Sequence, residues 1–572
     1  MHLGIDWGTS YTKIGYWENG KLINLAGQSQ FIPTVVTYLP STGRLYFGNT
    51  ALRLNEPGAC CAQFFKLELK RNLGYTLGPY DLPDILKEFF SFLNREYVIP
   101  LDQPVESITI GIPNYFGLKA RRVLLKTITT CFGIKRVNML LEPAAAALGY
   151  NLLNPEQPVY GDILSIDIGG GTSDFSFLTI EADYNRLIVE SQLQTGHDVF
   201  SGSEIDRAIL RNIFFPAFKI QTGRYVADNL LQEKSLAPQQ NFKLNQMLRR
   251  AESLKKELGT RTLNYLNIPD FYEGQSLILT VDQDMFFSQT QPVFKRLEEY
   301  IEQSLKSKAA YLGLYQSGKW NLDYILLVGG ASLILGVKEL LATTFNNVPI
   351  ILPANREFNV LAGLSAWETQ HQSRQLTSIK TIYPFHFFAE RFDPVQQSTI
   401  LDRLPFDTTN LSLDTENRYK IFTLARDSVY NLSSDCDNVK FRVYEAAEEE
   451  NNIVAQRFSD RDLVLEIDEL KTDLPDFLDI YLDLAGSELK AATSSQPGTE
   501  AFLSKPGFFP GLLNKQTTCY NNYQKLHKAK PDLLDNYQTL LKLKERTLHK
   551  PYQDHIQATL FKLYALIDLL KS

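Results

Sequence analysis

The sequence has few cysteines and no long apolar run, and each shortage excludes a class of protein. Its five cysteines are odd in number and show no Cys-x-x-Cys spacing, so neither a disulfide framework nor a zinc cluster is expected. No apolar segment approaches the roughly 20 residues that span a bilayer. The first residues show no signal-peptide pattern. We therefore expect a cytoplasmic protein with no membrane partner.

An excess of positive charge is also missing. The formal net charge is −7 over 572 residues, whereas a nucleic-acid partner requires a basic surface that replaces counterions. We therefore expect no nucleic-acid partner. With 44% hydrophobic and 22% charged residues, the composition is that of a globular protein of two to four domains.

The strongest pattern present is an internal repeat. Residues 3–10 (LGIDWGTS) are echoed by residues 164–173 (LSIDIGGGTS). Each copy is a β-rich run that ends in Asp, then a Gly-Thr-Ser turn, then further β-rich runs. Asn19-Gly20 between two such runs is typical of a hairpin. Two related halves are predicted, each of which opens with a β-meander.

Strands alternate with helices over about 370 residues, which indicates an α/β domain. Helices are predicted from apolar spacing, and strands from short buried-type runs. The helices are 118–132, 143–153, 203–218, 241–258, 291–311 and one that follows Gly329-Gly330 through residue 341; the strands are 105–112, 277–281 and 322–328.

The remainder of the chain has a different texture. Strand-like runs at 380–388, 419–424, 439–444, 463–467 and 477–484 are separated by polar turns. They predict a β-rich domain over residues 376–490, after an α/β domain over 1–370. Residues 491–520 are rich in Ser, Gly and Pro, as in a linker. Residues 521–572 predict a short helical tail with one apolar face.

The repeated turns suggest phosphate chemistry. Glycine-rich turns after strands present backbone N–H groups to anions. An aspartate at the end of such a strand suits hydrated Mg²⁺, which binds few carboxylates and keeps its waters. Asp6 and Asp167 hold matching positions in the two copies. A single Asp-x-Gly is weak evidence, but the matched pair favours a nucleotide site.

These residues resemble the actin, sugar-kinase and 70-kDa heat-shock chaperone superfamily of ATPases. Residues 6–11 and 167–174 resemble its two phosphate loops, and 328–332 (VGGAS) its adenosine loop. Several further matches are similar to the DnaK-type chaperone branch: 70–74 (KRNLG), 141–147 (LEPAAAA), 202–206 (GSEID), 251–256 (AESLKK) and 272–274 (YEG). The resemblance implies a two-lobed actin-like ATPase domain of duplicated RNase H-like halves, followed by a β-rich substrate-binding-like domain and a helical tail.

The resemblance also implies site residues for ATP or ADP and Mg²⁺. It implies water-bound Mg²⁺ at Asp6 and Asp167, and catalytic roles for Lys70, Glu142, Asp167 and Asp174. Lys70 is preferred to Lys66, four residues earlier. The implied nucleotide-binding residues are Gly8, Thr9, Ser10, Tyr11, Gly169, Gly170, Gly171, Thr172, Gly202, Glu252, Lys255, Lys256, Gly329, Gly330 and Ala331.

Three departures from the family pattern affect the expected partners. Leu333 stands where the family has an adenine-stacking Arg, and Asn138 where bacterial members have an Arg that engages the J-domain co-chaperone. Residues 370–381, where the family has an apolar interdomain linker, contain only Leu376 and Ile379 as large apolar residues. We expect weak coupling through this segment, and the need for a J-domain or exchange factor is left open.

The function that follows is a chaperone-like ATPase which couples nucleotide state to a polypeptide client or a dedicated protein partner. Two alternatives stay open at this point. One is a nucleotide-gated scaffold without catalysis, and the other is a small-molecule kinase of the same superfamily.

Overall fold

The structure is a computed structural model. It describes residues 1–493 except 28–29, 55, 57, 184–185, 198–199, 227–229, 232–237, 373–375, 382, 384, 394–397, 407–410, 413–417, 426–429, 431–437, 447–451, 455–462, 471–476 and 484–486. The predicted linker (491–520) lies almost entirely outside the described residues, and the predicted tail (521–572) lies wholly outside them.

The first half of the α/β region holds eleven strands and five helices among its described residues. The strands are β1 His2–Trp7, β2 Tyr11–Glu18, β3 Lys21–Asn24, β4 Ile32–Pro33, β5 Val35–Leu39, β6 Arg44–Phe47, β7 Cys60–Gln63, β8 Thr76–Leu77, β9 Tyr80–Asp81, β10 Ser107–Ile112 and β11 Val137–Leu141. The helices are α1 Gly48–Arg53, α2 Glu68–Arg71, α3 Leu82–Leu93, α4 Leu118–Phe132 and α5 Glu142–Leu153. A 3₁₀ turn, Phe65–Leu67, precedes α2.

The second half follows the same plan. Its strands are β12 Gly161–Ile168, β13 Ser173–Asp183, β14 Arg186–His197, β15 Leu263–Tyr272, β16 Gln275–Asp282, β17 Tyr315–Gln316, β18 Lys319–Trp320, β19 Tyr324–Val328, β20 Ile350–Ile351 and β21 Leu376–Thr381. Its helices are α6 Gly202–Ile209, α7 Phe215–Thr222, α8 Pro238–Leu258, α9 Gln283–Tyr300, α10 Lys306–Tyr311, α11 Val337–Thr344 and α12 Asn359–Gln372.

The two central sheets have matching strand orders. The first runs β11-β10-β1-β2-β3, and the second runs β20-β19-β12-β13-β14 and continues to β21. In both, the strand that carries the Asp pairs in parallel with one neighbour and antiparallel with the other. The α/β class is confirmed, and the doubled sheet fits the predicted actin-like arrangement.

Small residues let α5 and α12 cross closely beneath the first sheet. A Cβ on Gly149 would overlap the carbonyl oxygen of Asn359, and one on Gly363 would overlap that of Ala145. Residues 144–147, all alanine, are completely buried. The Ala-rich helix predicted from the sequence is therefore a packing element, and it fixes the position of its first residue, Glu142.

Some predicted boundaries differ from the structure. The helix predicted over 291–311 begins eight residues earlier, where Asp282 caps α9 by accepting a hydrogen bond from the Met285 N–H (2.7 Å). The helix expected directly after Gly330 is a 3₁₀ turn, Gly330–Leu333, followed by α11. The run at 380–388 is divided between β21 and the next strand.

Contacts divide the chain into two compact units, the first of which includes Met1–Pro384. It extends past the predicted boundary at residue 370 because α12 continues to Gln372 and β21 pairs in parallel with β14. The division into functional domains 1–370 and 376–490 stays a prediction.

The described strands beyond β21 form two further sheets and one short pairing. They are β22 His386–Asp393, β23 Ser398–Arg403, β24 Leu411–Ser412, β25 Arg418–Ala425, β26 Asn438–Ala446, β27 Asn452–Val454, β28 Leu463–Leu470, β29 Phe477–Asp483 and β30 Glu488–Thr493. The sheets run β27-β23-β22-β26-β28 and β25-β29-β30, while β24 pairs with β21. Across the part of the chain that the structure describes, no helix has the length and apolar content to cross a membrane.

Candidate functional site

A buried ion pair lies at the centre of the first half. The Lys66 ammonium is 2.7 Å from Glu142 Oε1, and the Lys66 side chain is only 2% exposed. Aromatic rings of Trp7 and Phe116 lie 5.6 and 5.9 Å from the same ammonium. A buried lysine requires such a partner, since an unpaired buried charge is very costly. Glu142 is placed by the start of α5, and Lys66 by the 3₁₀ turn.

The structure brings Lys66 into this site, whereas Lys70 lies outside it. Lys70 is exposed, and its ammonium is 4.8 Å from the Tyr115 ring centroid. The preference for Lys70 rested on the Lys-Arg-x-x-Gly match alone. That match singles out Lys70 by its neighbours in sequence but does not report burial, which depends on how the turn before α2 packs.

Three aspartates accompany the ion pair. Asp6 is the penultimate residue of β1, and Asp167 and Asp174 lie directly opposite each other on β12 and β13. Asp174 is buried; its Oδ2 accepts a hydrogen bond from Thr172 (3.3 Å). Its Oδ1 is buried without a hydrogen-bond partner among the described residues. The predicted carboxylates are therefore gathered at the ends of the two central sheets.

Burial and mutual repulsion raise the pKa values of these carboxyl groups. Burial, with repulsion by Glu142 and Asp6, raises the pKa of Asp167 to about 7. Burial and the neighbouring carboxylates also raise the pKa of Asp174 well above its ordinary value. The pKa of Glu142 is raised by burial, although Lys66 opposes the shift. Burial and the neighbouring carboxyl groups thus disfavour the charged form of Asp167 and Asp174, and burial disfavours that of Glu142.

The two Gly-Thr-Ser turns face each other at close range. A Cβ on Gly170 would overlap Ser10 Oγ, and a Cβ on Gly171 would overlap the Thr9 side chain. The second turn is closed by a hydrogen bond from the Gly169 N–H to the Thr172 carbonyl (2.9 Å). Glycine is needed at these two positions because the side chains of Ser10 and Thr9 leave no room for a Cβ.

Two more loops reach the same place. The Gly202 N–H donates to the Gly169 carbonyl (3.0 Å). A Cβ on Gly202 would lie 3.4 Å from Gly170 Cα and 3.5 Å from Ala331 Cβ. Gly329 has φ +82° and approaches Asp167 so closely that a Cβ would overlap its Oδ1. The loops that hold Gly202 and Gly329–Ala331 therefore meet the second turn.

Lys255 was expected to contact the ribose or adenine, but its ammonium binds other groups of the protein. Its ammonium lies 2.7 Å from Asp206 Oδ1 and donates to the Gly202 carbonyl (2.8 Å), and the side chain is buried. Burial raises the pKa of Asp206 to about 6, against the effect of Lys255. Lys255 therefore fastens α8 to the loop at Gly202.

Glu252 and Lys256 instead bridge the cleft to the first turn. They form an ion pair (2.7 Å) on α8. Tyr11 Oη donates to Glu252 Oε1 (3.3 Å), and Lys256 Nζ donates to Tyr11 Oη (3.4 Å). Leu333 stands at the position where the resemblance predicts an adenine-stacking Arg, and its side chain is 48% exposed.

One charged residue of the cleft was not predicted. Lys13 Nζ lies 2.6 Å from Asp6 Oδ2. The register of the repeat could have revealed it, because Lys13 in the first copy corresponds to Asp174 in the second. The segment that resembles the first phosphate loop, residues 6–11, ends before Lys13.

A family model described as Hsp70 protein matches residues 81–351. The matched range includes Glu142, the second Gly-Thr-Ser turn and the loop at Gly329–Ala331. Asp6, Lys13 and Lys66 precede it.

The raised carboxyl pKa values predict that the ligand-free protein becomes less stable as the pH rises. A carboxyl group whose pKa is higher in the folded chain stabilises the fold while protonated. For Asp167 this contribution is complete below its ordinary value of 3.8 and is lost as the pH rises through about 7. The unfolding temperature should therefore fall between pH 5 and pH 8, and Asp167→Asn should reduce that fall.

Thermal unfolding of the full chain by circular dichroism at a series of pH values measures this effect. Asp284→Asn is the matched control, because Asp284 is an exposed carboxylate in the first turn of α9. An equal pH dependence in the wild type and in Asp167→Asn would contradict the assignment of the raised pKa to Asp167.

Proposed function

Because the chain is a member of the Hsp70 family, we propose that it binds ATP against its two Gly-Thr-Ser turns and hydrolyses it with Mg²⁺. The observation that supports this most is the Lys66–Glu142 ion pair beside Asp167 and Asp174, next to two glycine turns that face each other. Phosphoryl transfer depends on positioning and charge neutralisation, and these groups offer both.

The phosphates would lie against the turns Gly8–Tyr11 and Gly169–Thr172. Glycine allows a ligand to approach the backbone closely, and the N–H groups of a tight turn attract anions. Tyr11, Glu252 and Lys256 already bridge the cleft and would close it over the nucleotide. Lys255 supports the Gly202 loop from behind.

Asp6 and Asp167 fit a metal ion that keeps its water molecules. Both are carboxylates at strand ends facing one cleft, and oxygen ligands are those that Mg²⁺ prefers. Among the described residues, no three His, Cys, Asp or Glu side chains are placed to bind a metal together, so the ion would be held through water. When bound, it would neutralise phosphate charge.

Lys66, rather than Lys70, is assigned the catalytic position. Glu142 holds its ammonium in the cleft, where it would offset charge that develops on the transferred phosphoryl group. Asp174 has a buried oxygen without a partner among the described residues. Such an acceptor would orient the attacking water.

We further propose that nucleotide state is coupled to a polypeptide client or a protein partner through β21. The expectation of weak coupling considered only the side chains of Leu376 and Ile379. The backbone of this segment pairs in parallel with β14, with Ser378 opposite Ile188 and Ile379 opposite Val189. Release of this strand would cost the ladder hydrogen bonds between β21 and β14.

The two alternatives have less support. A scaffold without catalysis would not require a buried lysine held by a glutamate beside Asp174. A small-molecule kinase would need a catalytic base and a pocket for its substrate, and no observation on the described residues favours one.

Substitution of the two lysines tests the catalytic assignment. Lys66→Ala should lower ATP turnover by about 10²–10³-fold, the usual loss when a transition-state charge partner is removed, and should leave ATP affinity within about tenfold. Lys70→Ala, the matched control, should retain turnover within about twofold. Turnover is measured by phosphate release and affinity by calorimetry.

The melting temperature of each variant is recorded as well, because Lys66→Ala leaves Glu142 buried without its partner, at a cost of about 3–5 kcal/mol. If Lys70→Ala abolished turnover in a folded protein and Lys66→Ala did not, Lys66 would be only structural.

Proline and alanine at Ser378 test the coupling. Proline lacks the N–H that a strand needs, so Ser378→Pro should remove stimulation of ATP turnover by unfolded peptides and keep basal turnover within about twofold. Ser378→Ala, which keeps the N–H, should behave like the wild type. Equal stimulation in all three proteins would reject coupling through β21.

A further inference from the structure

Lys13 places a second positive charge inside the cleft. It lies on β2 directly opposite Asp6 on β1, two residues after the first Gly-Thr-Ser turn ends at Tyr11. Its ammonium is 2.6 Å from Asp6 Oδ2, and the two side chains are 14% and 8% exposed. The first half of the site therefore contains a second ion pair, largely buried, in addition to Lys66–Glu142.

The second half shows what is unusual about Lys13. There the corresponding pair is Asp167 and Asp174, in the same register on β12 and β13. The duplicated hairpins thus present two carboxylates on one side of the cleft and a carboxylate with an ammonium on the other. Lys66 pairs with Glu142, whereas Lys13 pairs with Asp6.

Two cations would have to share Asp6 in the proposed function. Asp6 is one of the carboxylates that would hold hydrated Mg²⁺, and one of its oxygens is already bonded to Lys13. Like charges in a poorly solvated cleft repel each other. The Lys13 ammonium also lies beside the turn Gly8–Tyr11, where phosphates would bind, and attracts them without any metal.

We propose that Lys13 provides part of the phosphate neutralisation otherwise supplied by a divalent cation, so that this chain binds nucleotide with little dependence on Mg²⁺. The inference rests on the proposed function, because it presupposes a nucleotide in the cleft. Linkage makes the effect reciprocal: the factor by which Mg²⁺ raises nucleotide affinity is the factor by which nucleotide raises Mg²⁺ affinity. Lys13 keeps that factor small, and its removal enlarges it.

The experiment measures the affinity of the full chain for a fluorescent ADP analogue, in excess Mg²⁺ and in excess EDTA. A diphosphate avoids turnover during the titration. The wild type should lose less than about tenfold in affinity without Mg²⁺, which is about 1.4 kcal/mol. Lys13→Met should lose at least about a hundredfold, because Asp6 and the phosphates then rely on the metal alone.

Two further variants separate the charge from the fold. Lys13→Gln keeps a hydrogen-bond donor for Asp6 but no charge, and it should show the large Mg²⁺ dependence of Lys13→Met even if that variant is poorly folded. Lys306→Met removes a lysine that pairs with Glu302 on the preceding helical turn, and it should match the wild type. Circular dichroism confirms that each variant is folded.

Each outcome decides between the inference and its premise. A wild type that binds the ADP analogue in neither condition rejects the proposed function itself. A wild type that loses more than a hundredfold on Mg²⁺ removal overturns the role of Lys13. The role of Lys13 is also overturned if Lys13→Gln binds the analogue with the wild type's Mg²⁺ dependence.

Discussion

The buried ion pair between Lys66 and Glu142 is the constraint on which the site depends. Neither charge could stay inside the first half without the other, because an unpaired buried ion costs several kcal/mol. The pair therefore joins the 3₁₀ turn at Phe65–Leu67 to the first residue of α5. The close packing of α5 against α12 at Gly149 and Gly363 holds that residue in place, so helix packing and charge pairing together define the cleft.

Much of the fold could be predicted from local sequence. The repeat of an Asp followed by a Gly-Thr-Ser turn predicted two related halves, and the sheets have matching strand orders. Helix α4 was predicted over its full length, Leu118–Phe132, because its apolar residues follow a single helical period. The resemblance to the chaperone family implied that Gly170, Gly171 and Gly202 belong to one site, and in the structure Gly202 lies next to the turn that holds the other two.

Other features could not be predicted, because they depend on contacts between distant segments. Lys66 and Lys70 lie four residues apart, and the buried one, Lys66, is the one that packs against Trp7 and Phe116. Lys255 was expected to face the nucleotide, but the buried Asp206 engages it instead. The segment at Leu376–Thr381 has few apolar residues, and its pairing with β14 is made by the backbone, which leaves no sequence pattern.

The central claim is that a nucleotide binds against the two turns, and thermal unfolding with and without Mg-ATP tests it most directly. A ligand that binds only the folded chain stabilises it by mass action, by about 2.7 kcal/mol at a concentration 100 times its Kd. We expect a clear rise in the unfolding temperature of the wild type, and no rise in Gly170→Val, whose side chain would fill the space against Ser10. An unchanged unfolding temperature in the wild type at saturating Mg-ATP, or an equal rise in both proteins, would contradict the claim.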